Sequence, residues 1–461
     1  MVFFAGMLFL ASCGRREAKD VVDALPVIFP DYVEVTVPST IAPLNFEVRG
    51  ADHVVACLTN GEGDVMHVEG EEAICMDETE WKSLIGRGGD VRVEVSVWDD
   101  EHPDGATYRP FTIHVSNDSI DPWITYRLLP PGYEGWNKMG IYQRELSSFE
   151  ELTLIDNAGD RERCMNCHTT CNGNPDFLTY HMRGKNGYTY VSHNGKEEKV
   201  DLRKLTGGRH GSHNAWHPTG KFIAFSSNDT KQVFFAHTQD KIEVFDLWSD
   251  LFIYDVENHK VIMDDRFADS LRWESEPCFS PDGRWLYFST ARPVHLPQQY
   301  ADLHYDLVRV PFDEATGLLG HQVDTLYSTS QRGGTALMPR VSPDGRFLLY
   351  TIAECGAFNL YHREADFEMQ VLDTTTNEAR FVDCSAINSE DAESYHSWSS
   401  NGKWMMYSSK QIDGRYTRLF IVHWDGERWS KPFLLPQREP RQNTLLMMAY
   451  NVAEFLIRKT K

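Results

Sequence analysis

Apolar and polar residues alternate without a break from Val91 to Val97, ahead of Trp98 (Val-Arg-Val-Glu-Val-Ser-Val-Trp), the period-two pattern of a strand with one face on a core and the other in water. Val33 to Val37 and Leu44 to Val48 carry shorter strand-like stretches, and turn pairs such as Asn60-Gly61 separate them. About a hundred residues written this way predict an immunoglobulin-like β-sandwich over residues 26–120.

Further along, the strand pattern becomes a repeat. Phe279-Ser280-Pro281-Asp282-Gly283-Arg284-Trp285-Leu286-Tyr287-Phe288-Ser289 returns in register at 341–351, at 398–408 and, with His217 in place of the first serine, at 216–226. Each copy predicts strand, turn and strand. Proline presets the turn φ, the Asp or Asn side chain caps it, and glycine takes the positive φ that folds the next strand back. A second hairpin follows each copy, for example at Leu251 to Val256 and Asp306 to Val310, so each repeat holds four strands, a propeller blade. The turn glycines Gly220, Gly283, Gly345 and Gly402 stand about 60 residues apart, against about 40–45 for a common blade, which implies insertions between strands. With strand-like stretches at 124–154 and 188–205, the expectation is an all-β chain whose residues 121–461 form a propeller of about five or six blades, closed by pairing first and last strands.

Charge narrows the partners. The chain has 461 residues and a formal charge of −23, which argues against nucleic acid, since neutralising phosphates takes clustered Lys and Arg. Met1 to Ser12 is an uncharged apolar run ending in Leu10-Ala11-Ser12-Cys13, which resembles a bacterial lipobox and is too short to span a bilayer. Residues 1–13 are therefore expected to be a lipoprotein signal with Cys13 lipidated, and 14–25 a polar tether. The protein is then an exported lipoprotein of the outer membrane, on its periplasmic or cell-surface face, held by lipid alone. An oxidising compartment permits Cys57 to pair with Cys75.

Cys164-Met165-Asn166-Cys167-His168 is a Cys-x-x-Cys-His motif, which attaches haem covalently through its two thiols and supplies an iron ligand from its histidine. A zinc site would want a second ligand pair, and a thioredoxin-like dithiol would want a βαβ unit around it. One haem c is expected on Cys164 and Cys167, with His168 as proximal ligand. His181 is the favoured distal ligand and Met182 the alternative, and Arg183 is placed to pair a propionate. Residues 157–185 are expected to be a haem-binding insertion into a blade.

The Ser-Pro-Asp-Gly-Arg copies resemble the repeat of TolB-type, WD40-like β-propellers. Together with Trp136 to Gln143, Tyr180 to Gly184 and Ser394 to Ser399 they resemble exported, haem-tagged propeller proteins of Bacteroidetes type, over about Asp121 to Phe455. That resemblance implies the architecture and a haem; it implies no reaction. Aligning the repeats makes His213, Glu276, Met338 and Tyr395 equivalent, and Asn214, Pro277, Pro339 and His396 likewise. Equivalent positions ring a propeller's channel, so His210, His213, Glu274, Glu276, Glu393 and His396 form a candidate site at its mouth. Electron transfer to a redox partner through a mono-haem centre is the leading expectation. The alternatives are a binding or assembly module for a protein or glycan, with structural or sensory haem, and a haem-dependent reductase. No Gly-x-Ser-x-Gly elbow or His-Glu-x-x-His helix supports a hydrolase.

Overall fold

A computed structural model describes residues 16–131, 137–159, 163–234, 242–269, 271–356, 365–372 and 379–461; Cys13 and Trp136 lie outside them. Six antiparallel sheets, five of four strands and one of five, form a propeller. The inner strands of blades 2 to 6 are Cys164–Cys171, Asn214–Trp216, Trp273–Phe279, Thr335–Val341 and Glu393–Trp398. Blade 1 takes its inner strand from the other end of the chain: Ala449–Leu456 pairs antiparallel with Trp123–Leu129. Each inner strand packs on the next and the last returns to the first, so the ring is closed and the inner edge strand of every blade lines the axis.

The turns form as their side chains dictate. Ser280 Oγ donates to Asp282 Oδ1 (2.6 Å), which also accepts from the Arg284 amide (3.1 Å), while Gly283 takes φ 72°. Ser342 with Asp344 and Ser399 with Asn401 repeat the arrangement. His217 replaces the serine with a ring whose Nδ1 lies 2.7 Å from Thr219 Oγ1.

Two sequence expectations change here. Residues 157–185 are not an insertion: Cys164–Cys171 and Asn174–Arg183 are the paired inner strands of blade 2. Asn172 (φ 52°) and Gly173 (φ 69°) make the turn between them, a version of the repeat turn without its proline. The tether is partly a strand as well, since Asp20–Val22 pairs in parallel with Ala106–Tyr108. N-terminal residues build a seven-stranded sheet and a two-stranded one (Phe46–Glu47 with Ala73–Ile74), with a helix at Glu78–Ile85 capped by Asp77. Val35, Val37, Val93 and Val95 share one core with Trp404, Met406 and Phe455, so this region is packed on blades 6 and 1. Cys57 and Cys75 are both free thiols, Cys75 lying 3.7 Å from the Arg438 carbonyl, and the permitted pairing is not made.

Candidate functional site in the propeller channel

Inner strands of five blades share one bulge. Pairing slips by a residue between Asn166 and Thr169, Ser275 and Cys278, Leu337 and Arg340, and Ser394 and Ser397, and again opposite Thr125 and Arg127 in the C-terminal strand. At each slip a non-glycine residue takes a left-handed φ: Cys167 (54°), Glu276 (58°), Met338 (57°), Tyr395 (50°) and Val452 (43°). Such a φ costs about 1–3 kcal/mol. Because five blades adopt it, the strain belongs to the ring and not to one blade's chemistry. His213 of blade 3 holds the equivalent repeat position. The shared backbone therefore presents five unlike side chains, a thiol, a carboxyl, a thioether, a phenol and an isopropyl group, and His213 adds an imidazole at the sixth repeat position without the bulge.

Cations gather around this ring although the chain is strongly acidic. Burial first, then Arg183 of blade 2, Arg340 of blade 5 and Arg127 of blade 1, push His213 down to about 3. Arg127 donates to the Met165 carbonyl (3.1 Å) and to Asn451 Oδ1 (3.0 Å), and Arg340 to the Pro339 carbonyl (2.8 Å). Arg183 Nε donates to the Asn166 amide oxygen (3.1 Å) when that amide is turned to satisfy both its groups. None of the three makes an ion pair with a described residue. The acids beside them are buried: Glu276 Oε2 accepts from the Met338 amide (2.6 Å), and burial pushes its carboxyl up to about 8. Asp246, on the long hairpin of blade 3, accepts from Asn228 Nδ2 (3.0 Å), keeps Oδ1 unbonded and is pushed by burial to about 7. Glu454 accepts from the Thr170 amide (2.8 Å) and hydroxyl (2.9 Å) and is also raised by burial to about 7. Near neutral pH these carboxyls are partly protonated.

The Cys-x-x-Cys-His motif lies on the inner strand of blade 2. His168 is 1% exposed and faces blade 1; burial and then Arg127 push it down to about 3, against a weak opposing effect of the Thr125 backbone. Neither ring nitrogen makes a hydrogen bond of good geometry. Met182 points the same way and packs with Cys164, Met165, Met139 and Ile141. Strand alternation sends His181 to the opposite face, where it stacks on His210 (5.4 Å, 22°) and lies 3.1 Å from Thr189 Oγ1. His168 and His181 are thus on opposite sides of one sheet, and the expected proximal and distal pair is not brought together.

Covalent haem needs both thiols at one porphyrin edge. Residues three apart meet within about 6 Å on a helical turn, whereas on a strand three steps span about 10 Å. Cys164 and His168 are also sealed between blades 1 and 2, and Arg183 is engaged by Asn166. Two thiols and a neutral imidazole are the right donors in kind, but on this strand they do not fit a c-type haem. Among the described residues no three His, Cys, Asp or Glu groups come together as a metal site.

Of the six residues aligned to the channel mouth, His213 and Glu276 stand on the ring. Glu274 accepts from Thr290 Oγ1 (3.3 Å) and is pushed by burial to about 8; Glu393 accepts from the Ser389 (2.5 Å) and Ser409 (2.8 Å) hydroxyls and is pushed by burial to about 7. His396 lies in the seam between blades 5 and 6, its Nε2 3.1 Å from the Leu349 carbonyl and its ring edge-on to Phe367. His210 lies off axis, against His181. Arg127, Arg340, Asp246 and Glu454 escaped the sequence reading. Two of them leave a signal in the repeat alignment, because Arg340 and Glu454 stand two residues past the bulge, where other blades have Thr169, Ala215, Cys278 and Ser397.

No protein-family model and no curated protein sequence matches the chain. Among solved structures it is similar to TolB from Acinetobacter baumannii, at 12% identity and a TM-score of 0.45, over 82% of this chain and 85% of that one. It is also similar to the β-propeller domain of the Trilobed protease from Pyrococcus furiosus, at 12% identity and a TM-score of 0.36, over 76% and 91%. Puromycin hydrolase shares 12% identity at a TM-score of 0.39, over 68% of this chain; the chain spans 45% of the hydrolase's length. The six-bladed, all-β propeller rests on the pairing of the chain's own strands.

Proposed function

We propose that this protein is a binding module, a six-bladed propeller buttressed by an immunoglobulin-like N-terminal region, which holds a ligand or a partner's side chain at the ring of bulged residues in its channel. The observation that carries the reading is that ring: one costly backbone feature repeated in five of six blades, bearing five different side chains with His213 at the sixth position, and flanked by arginines that make no ion pair with a described residue. Binding is favoured over covalent catalysis because burial raises the pKa of Cys167, which keeps it a thiol and a poor nucleophile. A thermal-shift survey of sugars, organic acids and short peptides tests this on the native chain, Glu276→Gln and Arg340→Met. A ligand at a hundred times its Kd adds about 2.7 kcal/mol of stability. Stabilisation of the native chain that both variants lose supports the site; stabilisation that both keep refutes it.

A second proposal, a lipid-anchored c-type haem protein for electron transfer, rests on the Cys164-x-x-Cys167-His168 motif and on burial holding His168 neutral, against the strand geometry described above. When bound, the haem would supply one-electron chemistry. The inner strand of blade 2 would have to leave its sheet for both thiols to reach it. Intact mass of protein made alongside a cytochrome maturation system separates the two proposals.

A further inference from the structure

We propose an oxyanion-binding site, for a single phosphate or carboxylate group of a small molecule, in the cleft between blades 2 and 3 where Arg183 and Arg203 flank the stacked rings of His181 and His210. This site goes beyond the channel reading, because it opens off the axis. The cleft is shallow and open to solvent, so it can take a single charged group at its mouth and not a larger buried ligand.

The lining is prepared for negative charge. Arg203 sits on the short helix Leu202–Thr206, and Arg183 ends the second strand of blade 2. Neither makes an ion pair with a described residue, in a chain with 68 acidic and 45 basic side chains where carboxylates are plentiful. With the Asn166 amide turned, Arg183 is fixed through Nε, and no described residue engages the outer edge of its guanidinium, which can fork onto an oxyanion. Asp201 is the one acid in the lining, and its carboxylate is already used as the helix cap, accepting from the Lys204 amide (3.2 Å).

The histidines complete the cradle. His181 Nδ1 is engaged with Thr189 Oγ1, which fixes the ring. Burial and then Arg183 hold both rings neutral, with His210 pushed down to about 4 and His181 lower than its ordinary value. Two neutral imidazoles stacked between two arginines make the cleft a poor place for a cation and a suitable one for an anion. Opposite, the hairpin turn at Gly184 and Gly187 is held tight: a side chain at Gly187 would meet the Met182 carbonyl at 2.7 Å. The cleft floor is therefore backbone.

Calorimetric titration of the full chain with inorganic phosphate and, separately, with acetate, at fixed ionic strength in chloride, tests the proposal and tells the two headgroups apart. Saturable binding of at least one is expected. Arg203→Gln, at an exposed position, should weaken it tenfold or more, while Lys204→Gln on the same helix should leave it within twofold. Glu276→Gln and Arg340→Met, which probe the channel, should also leave it unchanged, so the two sites can fail separately. No saturable heat with either anion, an affinity unaltered in Arg203→Gln, or an equal loss in Lys204→Gln would overturn the assignment.

Discussion

Four turn glycines share one backbone conformation and differ in what stands beside them, so alanine at each separates local strain from seam packing. Gly345 has φ 73° and nothing within 4 Å of an added Cβ. Alanine there should cost only the left-handed conformation, about 1–2 kcal/mol, less the gain from a stiffer unfolded chain, for a net of about 1 kcal/mol. At Gly402 the Cβ meets Pro343 Cδ at 3.3 Å, a small addition. At Gly220 it collides with the Phe177 ring (Cδ1 at 2.8 Å), and at Gly283 with His217 (Cε1 at 2.7 Å). His217 has little room to yield: it is buried among Phe222, Phe279 and Phe312, and its Nε2 lies 3.1 Å from the Gly283 carbonyl. Overpacking of about 1–3 kcal/mol plus a disturbed hydrogen bond of about 1 kcal/mol brings Gly283→Ala to about 3–5 kcal/mol. Urea midpoints followed by tryptophan fluorescence at constant m should rank the variants Gly345, Gly402, then Gly220 and Gly283. His217→Ser, which restores the side chain of the other repeats, should recover about 1–3 kcal/mol in the Gly283→Ala background, a coupling a double-mutant cycle reads directly. Equal losses at Gly345 and Gly283 would refute the seam, and no loss at Gly345 would refute the left-handed turn.

Stability should peak in mild acid. Glu274, Glu276, Asp246, Glu393 and Glu454 keep protons to about pH 7–8 when folded, so the stability they confer is complete below about pH 4 and lost as pH rises through 7–8, up to about 1.4 kcal/mol per group per pH unit. His213 and His396, held near 3, act in reverse and lose stability as pH falls from 6.5 toward 3. The melting temperature should therefore be higher at pH 6 than at pH 8, and the opposite order would contradict the burial of these carboxyls. Val452→Met gives the strained position its blade 5 counterpart, Met338, and removes a branched side chain from φ 43°; a gain of about 0.5–1 kcal/mol is expected, and a loss in the urea midpoint would count against strain there. If Cys13 carries lipid, Cys13→Ala moves the protein from the membrane pellet to the soluble fraction, whereas retention in the pellet removes the anchor assignment.

The turns were legible because everything that makes them is local: serine, aspartate and glycine lie within four residues, and their hydrogen bonds depend on no other blade. Blade 2 was less so, because its turn is Asn172-Gly173 without proline and its inner strand carries Cys164, Cys167 and His168, whose spacing reads as a chemical motif before it reads as a strand. The spacing of those three invites a helical turn, and local spacing cannot reveal that a sheet ladder has claimed the segment. The contrary signal was nonetheless present. Cys167-His168 stands six residues before Gly173, as Tyr395-His396 stands seven before Gly402, and both pairs begin at the bulge. A repeat turn downstream is evidence for a strand upstream, and it outweighs a five-residue motif whose chemistry assumes a backbone the ladder does not allow.

The cleft was beyond such reasoning. His181 and His210 lie in different blades, and only the cross-strand alternation of blade 2 and the loop entering blade 3 bring them together. Arg183 illustrates the general point: the sequence offered it as a partner for a haem propionate, yet which face of the sheet it serves is set by register. A one-residue slip of Asn174–Arg183 would turn His181 toward blade 1 and Met182 toward blade 3. The bulge at Cys167 holds that register, so the strained ring at the axis and the cleft at the seam have a common cause. Relieving the bulge should therefore disturb the stacked histidines before it unfolds the propeller.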